Sequence, residues 1–350
     1  MAAFTPAQLQ NAVAAALDYF VRGDSFLQTT KRKPLMDDLI RGQQAFPGAR
    51  EFYSTPVKGD ISTTIQGFEN DDEVSYSQPN NLRRAVFPIR NLHCGISFTH
   101  DELMRNGIAI RDSVTGESAA PVSGAAQFQL TNILRDKVAD MAEGWARDFN
   151  TQLWLDGAQD PKELVGVTAY IRTAPTANAI VAGLDQVANP WWQNRVRLNV
   201  VANASNAADN ELIQAIDSEL LNLRLYDGGF PTKGYAGRDI IDQLRRELRA
   251  KGTYTDTGFS RDNPDLSAPD RVRFNNTTII HDPTLDDLGW SKRLYLLDLN
   301  NIKLMPVQGQ DRVTHTPARP ENRYVFYRAM TWAGTLCVRM RRSSGLITIA

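Results

Sequence analysis

The residues best suited to bind a metal ion are His93, Cys94 and His100, because imidazole and thiolate groups coordinate zinc and related ions. Apolar residues alternate with polar or small ones through residues 92–99, which predicts a half-buried strand. Neighbouring side chains on a strand point to opposite faces, so His93 and Cys94 cannot readily share one ion. The sequence therefore predicts no metal site at this position.

A second chemically competent group contains His281, Asp282, Asp286 and Asp287. An imidazole beside a carboxylate is an arrangement used in general acid–base catalysis. Here a predicted strand ends at Pro283, and the carboxylates are adjacent in sequence rather than facing each other across a site. A solvent-exposed polar loop explains all four residues.

Signatures of nucleotide-binding proteins and hydrolases are absent from the sequence, which has no P-loop, G-x-G-x-x-G, G-x-S-x-G or H-E-x-x-H motif. With four histidines and no convergent set, the sequence predicts no catalytic, cofactor-binding or metal residues. A two-domain enzyme with an unrecognised site is the alternative from another class. Such an enzyme would behave as a small discrete species in solution.

The composition excludes several classes of protein. The 350 residues carry a formal net charge of −1, which gives no general electrostatic attraction to nucleic acid or to an anionic membrane. Cys94 and Cys337 are too few for a disulfide framework, and no apolar run approaches the ~20 residues of a membrane span. Arginines outnumber lysines by 30 to 9, which fits either extensive protein–protein contact or a GC-rich genome.

A long amphipathic helix must organise the other elements. Residues 127–157 have apolar side chains every three to four positions and no proline, and two shorter helices are predicted at about 209–226 and 238–251. Strands are predicted at 92–99, 164–171, 271–281, 292–305 and along the C-terminal stretch, where one face is apolar. The mixed order predicts the α+β class.

Two residue pairs have more than one interpretation. Trp191 and Trp192 either anchor an interface or ligand or pack within a loop-rich domain. Arg341 and Arg342 either contact phosphate or form ion pairs on a strand face, and the second interpretation is favoured because no aromatic platform is interleaved with them.

A protruding β-hairpin is predicted for residues 50–99, with a long polar tip around Gly67, Asn70 and Asp71. Its strands are too polar to build a core alone, so we expect the hairpin to lie against another copy of the chain. The alternative for this segment is a flexible surface loop. Arg83 and Arg84 are the candidate residues for ion pairs between subunits.

The order of elements and several motifs resemble the major capsid proteins of tailed bacteriophages, which have the Hong Kong 97-type fold. The resemblance covers nearly the whole chain and rests on these segments: KPLMDDLIRGQQAFPGAREFY (33–53), FPIRNLHCGISFTHDELMRNGIAI (87–110), QLTNILRDKVADMAEGWARDFNTQLWLDG (129–157), PWWQNRV (190–196), TTIIHDPTLDDLGW (277–290) and residues 293–336.

The resemblance implies an architecture. Residues 1–49 would be the N-terminal arm, 50–99 the extended loop (E-loop), and 100–184 the peripheral domain with its spine helix at 127–157. The axial domain would span 185–300, and strands in 301–350 would return to the peripheral domain.

The resemblance also implies a function and partners. The chain would assemble with itself into hexamers and pentamers that tile an icosahedral shell around double-stranded DNA, without sequence-specific DNA binding and without a membrane. Its location would be the virion, and the host cytoplasm during assembly. A portal is expected, a decoration protein is an open possibility, and the nearest alternative function is an encapsulin-like nanocompartment shell.

Two departures from the family pattern carry expectations of their own. Some members have a fused N-terminal scaffolding segment of about a hundred residues, whereas only about 25 residues precede the extended part of the arm here, so we expect a separate scaffolding protein. Some members form isopeptide cross-links from an E-loop lysine. Lys58 is the only lysine in 50–99, but no matching Asn or catalytic Glu is recognised, so cross-linking is not expected.

Overall fold

The computed structural model describes residues 30–48, 51–59, 63–77, 81–99, 124–201, 211–225, 229–250, 271–274, 277–315 and 325–350. At residues 98, 124–136, 249–250, 271, 273–274 and 326 it describes the backbone alone. Most of the predicted N-terminal arm, and His100, therefore lie outside the described residues. Among the described helices, none has the length and apolar character needed to cross a membrane.

The described elements follow the predicted mixed order. The helices are α1 (Pro34–Arg41), α2 (Gly124–Trp154), α3 (Val167–Tyr170), α4 (Glu211–Leu223), α5 (Arg238–Ala250) and α6 (Pro283–Asp287), with a 3₁₀ turn at Pro190–Trp192. The strands are β1 (Phe52–Lys58), β2 (Leu82–Pro88), β3 (Arg90–Thr99), β4 (Ile180–Val181), β5 (Leu184–Asp185), β6 (Arg195–Val200), β7 (Lys233–Ala236), β8 (Arg271–Phe274), β9 (Thr277–His281), β10 (Arg293–Leu297), β11 (Ile302–Pro306), β12 (Val313–His315), β13 (Val325–Val338) and β14 (Gly345–Ile349).

The chain divides into two compact units. The first comprises Met1–Lys31, His93–Arg147 and Arg312–Thr331, and the second comprises Arg32–Leu92, Asp148–Asp311 and Trp332–Ala350. In the first unit β12 pairs antiparallel with the first half of β13, and β3 also pairs with β13.

The predicted protruding hairpin consists of β1 and β2, which pair antiparallel, so it ends at Pro88 and is shorter than the predicted range 50–99.

A six-stranded mixed sheet forms the main core of the second unit, in the order β6-β14-β10-β7-β9-β8. The apolar stripe predicted for α4 is buried, with Leu212 and Ile216 fully inaccessible, and α5 adds Ile240 and Leu244 to the same cluster. The sequence predicted 271–281 as one strand, but the described residues form two strands, β8 and β9, that pair antiparallel.

The predicted strand at 292–305 is also two strands, and they belong to different sheets. The turn between them is fixed by Asp298, whose Oδ1 accepts a hydrogen bond from the Asn300 amide at 3.1 Å. The C-terminal part of β13 is buried on both faces rather than one, since Thr335 and Cys337 are as inaccessible as Leu336. Burial raises the pKa of the Cys337 thiol to about 12.

Residues 164–171 were predicted to be a strand, and this prediction is wrong. The segment turns back beneath the end of α2, where the Gly166 amide donates to Leu155 O at 3.0 Å and the Thr168 hydroxyl donates to Trp154 O at 2.7 Å. A Cβ at position 166 would collide with three carbonyl oxygens of that helix end. The segment satisfies helix carbonyls that would otherwise lack a donor, which local alternation of residue types does not reveal.

The end of α2 is fixed by a buried polar network. Trp154 Nε1 donates to Asp282 Oδ2 at 2.9 Å, and Asn150 Nδ2 donates to Thr284 Oγ1 at 2.7 Å. On the other side, Asn150 Oδ1 accepts from the Met36 amide of α1 at 3.2 Å. Burial raises the pKa of Asp282 above its ordinary value, although the hydrogen bonds from Thr284 and Trp154 oppose this effect.

Arg341 is fully buried and contacts carbonyl oxygens instead of the ion-pair partner that the sequence favoured. Its guanidinium donates to Tyr170 O at 2.7 Å, to Trp192 O at 2.8 Å and to Asn194 Oδ1 at 3.1 Å. Burial, with a smaller effect from Arg172, lowers its pKa to about 9, so it remains charged at neutral pH. This one side chain joins the 164–173 segment, the 3₁₀ turn and the C-terminal segment.

Replacing this guanidinium tests its structural role. We expect Arg341→Lys to lower the free energy of unfolding by about 2–4 kcal/mol, because a single ammonium cannot satisfy three diverging acceptors and leaves buried carbonyl groups unpaired. The neighbouring Arg342→Lys, at a partly exposed position, is the control and should change stability by less than about 0.5 kcal/mol. Equal effects in chemical denaturation would contradict the assignment.

Candidate interaction surface

The acid–imidazole group at the end of β9 is structural. His281 Nε2 lies 2.6 Å from Asp286 Oδ2, and Asp286 Oδ1 accepts a hydrogen bond from the Arg238 amide at the start of α5, at 2.8 Å. A carboxylate at a helix N-terminus is stabilising. Asp282 is fully buried, so the predicted exposed loop is wrong for that residue, and the group holds β9, α5 and α6 together.

The other chemically competent residues are separated. His93 is exposed and Cys94 is half-buried at successive positions of β3, as expected for opposite faces. His315 Nε2 lies 2.6 Å from Thr331 Oγ1 on the paired strand. Within the described ranges, no three His, Cys, Asp or Glu side chains are grouped so that they could hold a metal ion.

The base of the β1–β2 hairpin packs against its own subunit, which differs from the expectation that the whole hairpin needs another copy. Ala85 and Phe87 are fully buried, and the Phe87 ring contacts Tyr170 with 5.5 Å between centroids. The Val86 amide donates to Ala182 O, in the tight turn between β4 and β5, at 2.8 Å.

Trp191 supports the point where the hairpin leaves the subunit. A Cβ on Gly59 would lie 2.6 Å from the indole ring of Trp191, so only glycine permits this approach. Trp192 is buried beside it and donates from Nε1 to Val181 O at 3.1 Å. Both tryptophans therefore pack within the subunit, and together they set the direction of the hairpin.

Arg83 and Arg84 lie on opposite faces of the hairpin. Arg83 pairs with Val57 and shares the face of Ala85, which is buried nearer the base, whereas Arg84 pairs with Pro56 on the other face. Both side chains are exposed in the subunit. They cannot belong to one contact patch, and a role in ion pairing between subunits stays a prediction for each residue separately. Lys58 is also exposed, opposite Leu82.

The tip of the hairpin, residues 63–77, has hydrogen bonds of its own. Gln66 Oε1 accepts from the Ser75 amide at 2.9 Å, and Gln66 Nε2 donates to Glu73 O at 3.2 Å. A turn closes the end, where the Asp72 amide donates to Glu69 O at 3.1 Å. The tip is thus held in a particular shape.

Large apolar side chains are exposed on this tip, although the sequence suggested a polar one. The exposed fractions are 104% for Ile65, 70% for Phe68, 40% for Val74 and 94% for Tyr76. Exposed apolar side chains grouped in this way mark surfaces that contact another macromolecule. The tip is therefore the candidate interaction surface of the subunit.

The support of the hairpin by Trp191 is tested with two glycines. We expect Gly59→Ala to weaken self-association about tenfold in sedimentation velocity, because the added methyl group displaces the indole and redirects the hairpin. Gly144→Ala, in α2 and outside the hairpin, is the control, since no atom lies within 4 Å of a Cβ at that position. Self-association that is equally strong in both variants would show that hairpin direction is unimportant.

The two arginines should have unequal effects. We expect Arg84→Ala to weaken self-association up to about fivefold, the equivalent of 1 kcal/mol, because Arg84 lies on the less buried face of the hairpin. Arg83→Ala should have a smaller effect, and neither variant should change the unfolding midpoint. If Arg83→Ala reduced the assembled species in sedimentation velocity more than Arg84→Ala does, the face of Arg83 would be the one that contacts another subunit.

Comparison with solved structures finds phage capsids. The chain is similar to one from the capsid asymmetric unit of cyanophage A-1(L), with a TM-score of 0.62, 15% identity and coverage of 94% of this chain and 97% of that chain. For the capsid of the myovirus phage XM1, the TM-score is 0.58 at 11% identity, with coverage of 96% and 98% respectively. For the mature capsid of bacteriophage PhiM1, the TM-score is 0.55 at 12% identity, with coverage of 93% and 89%.

Sequence comparison gives no such link, because no protein-family model and no curated protein matches the chain. Structural similarity at these identities concerns the fold. The chain has the fold of tailed-phage capsid proteins, the Hong Kong 97-type fold that the sequence resemblance implied.

Proposed function

We propose that the chain is a major capsid protein that assembles with itself into a closed shell. The observation that carries this proposal is the structural similarity to capsid chains along nearly the whole length of both proteins. A match confined to one domain would leave room for a different function in the remainder. Coverage of 94% of this chain leaves little of it outside the shared fold.

The subunit surface supports the same proposal. The hairpin is seated firmly at its base through Val86 and Phe87, yet it exposes Ile65 and Tyr76 at its tip. A monomeric protein gains nothing from ordering such a tip, whereas a shell subunit covers it with a neighbour. Many modest contacts of this kind become strong together because each bound subunit places its other contacts at high effective concentration.

The finer parts of the proposal follow the family resemblance. Hexamers and pentamers would tile an icosahedral shell around double-stranded DNA, with a separate scaffolding protein and a portal present during assembly in the host cytoplasm. The net charge of −1 gives the chain no general electrostatic attraction to DNA, which fits a container that encloses DNA without binding it tightly. The arm (1–49), E-loop (50–99), peripheral (100–184 and 301–350) and axial (185–300) assignments belong to the same proposal.

A structural, non-enzymatic role fits the described side chains. The acid–imidazole contact between His281 and Asp286 holds elements of the core together. Asp282 accepts hydrogen bonds from Trp154 and Thr284, so its buried carboxylate also supports packing. These groups stabilise the subunit that the shell is built from.

Negative-stain electron microscopy of the purified chain, with sedimentation analysis, tests the function. We expect closed shells, or rings of five and six subunits, either alone or on co-expression with the phage's candidate scaffolding protein. A strictly monodisperse monomer or dimer under both conditions would contradict the proposal. Shells that enclose an enzyme rather than DNA would indicate the encapsulin-like alternative.

A further inference from the structure

A cleft of about 560 Å³ lies beside the base of the hairpin, within the second unit. One wall is the segment after α2, including Asp156 and residues 168–173, and a second wall is the 180–183 turn. Trp290, Arg293 and Tyr295 complete the lining. This volume lies in the range of sites that bind several side chains or a ligand.

The cleft presents aromatic surface and net positive charge. Arg172 and Arg293 line it against a single carboxylate, Asp156. The Arg293 guanidinium lies 4.5 Å from the centroid of the Trp290 ring, and its Nη1 donates to the Tyr295 hydroxyl at 3.3 Å. Arginine stacked on an aromatic ring is held in place and can still bind a carboxylate. Ile180, with 74% of its surface exposed, adds an apolar position at this site.

The hairpin tip has the complementary chemistry. Residues 63–77 contain four carboxylates, from Glu69, Asp71, Asp72 and Glu73, and no basic residue. The same segment exposes Ile65, Phe68, Val74 and Tyr76. An acidic tip with apolar and aromatic side chains matches a cleft that is positively charged and aromatic. Tyr76 and Ile65 are almost fully exposed, so the tip's own subunit does not cover it.

We propose that the tip of one subunit, residues 63–77, docks into the cleft lined by Arg172, Trp290 and Arg293 of a second copy of the chain. This inference rests on the proposed capsid function and identifies the site on a neighbouring copy that binds the exposed hairpin tip. The β4–β5 turn has two roles in this arrangement. It accepts the hydrogen bond from Val86 that seats the hairpin, and it forms one wall of the cleft that receives the neighbour's tip.

Charge reversal tests the electrostatic part. We expect Arg172→Glu, and separately Asp71→Arg with Glu73→Arg, to weaken assembly about tenfold in sedimentation velocity. Combining all three substitutions should restore assembly to within about threefold of the wild type. Asp71 and Glu73 are chosen because the side chain of Asp72 holds the turn through the Glu69 amide. Lys162→Glu reverses an exposed charge outside the cleft lining and should assemble normally.

Disulfide formation tests the contact directly. Chains carrying Gly67→Cys are co-assembled with tagged chains carrying Thr173→Cys, an exposed position of the cleft, both in a Cys94→Ser background. Burial keeps the Cys337 thiol protonated and unreactive. We expect a disulfide-linked dimer of one tagged and one untagged chain on a non-reducing gel, because a disulfide requires Cα atoms within about 7 Å.

The outcomes separate this inference from the capsid proposal. Normal shells without the mixed dimer and without rescue by the combined charge reversal would overturn the docking and leave the capsid function intact. Normal shells in which Thr173→Cys still reacts with a maleimide would show an open cleft and also overturn it. Failure of the wild-type chain to form any shell would overturn both.

Discussion

The structure depends on how the C-terminal end of the long helix α2 is held. Trp154 and Asn150, one turn apart, donate hydrogen bonds to Asp282 and Thr284, and Asn150 also accepts one from the Met36 amide. Trp154, Asn150, Asp282 and Thr284 are buried, so breaking a bond between them would leave a polar atom without water or protein. The helix end, the first described helix α1 and the turn after β9 are therefore fixed relative to one another.

The hairpin and its exposed tip are connected to this fixed point through a series of contacts. The segment after α2 satisfies the helix carbonyls through Thr168 and then supplies Tyr170, which contacts the hairpin base at Phe87. Arg341 ties the same segment to the tryptophan turn, and Trp191 sets the position of Gly59. Rigidity at the base leaves the tip exposed in a defined shape, and pre-ordered surfaces lose less entropy when they bind.

Sequence periodicity predicted the elements whose burial follows one face. The α+β class and the apolar stripe of α4 are examples, because Leu212 and Ile216 signal the helix period locally. In α2, the described stripe positions Met141, Trp145, Phe149 and Leu153 are also buried. Sequence periodicity failed where contacts with residues distant in sequence determine the local structure. Residue types alternate through 164–171 as in a strand, but the segment turns back beneath the end of α2, where the Gly166 amide donates to Leu155 O. Arg341 has the sequence context of a charge on a strand face, but its partners are carbonyl groups distant in sequence, such as Trp192 O. At the surface, the sequence predicted a hairpin, which β1 and β2 form over a shorter range, and the role of its two arginines between subunits stays a prediction. The sequence could not show that Arg83 and Arg84 face apart, which depends on the strand register.

The role of the hairpin tip in assembly can be tested with a cryo-electron microscopy map of assembled particles at residue resolution. We expect shells in which each subunit keeps the same hairpin base and a neighbouring copy covers Phe68 and Tyr76. Particles in which these side chains face solvent in every subunit would contradict the role assigned to the tip. A map of a small, closed oligomer with no shell would contradict the capsid function itself.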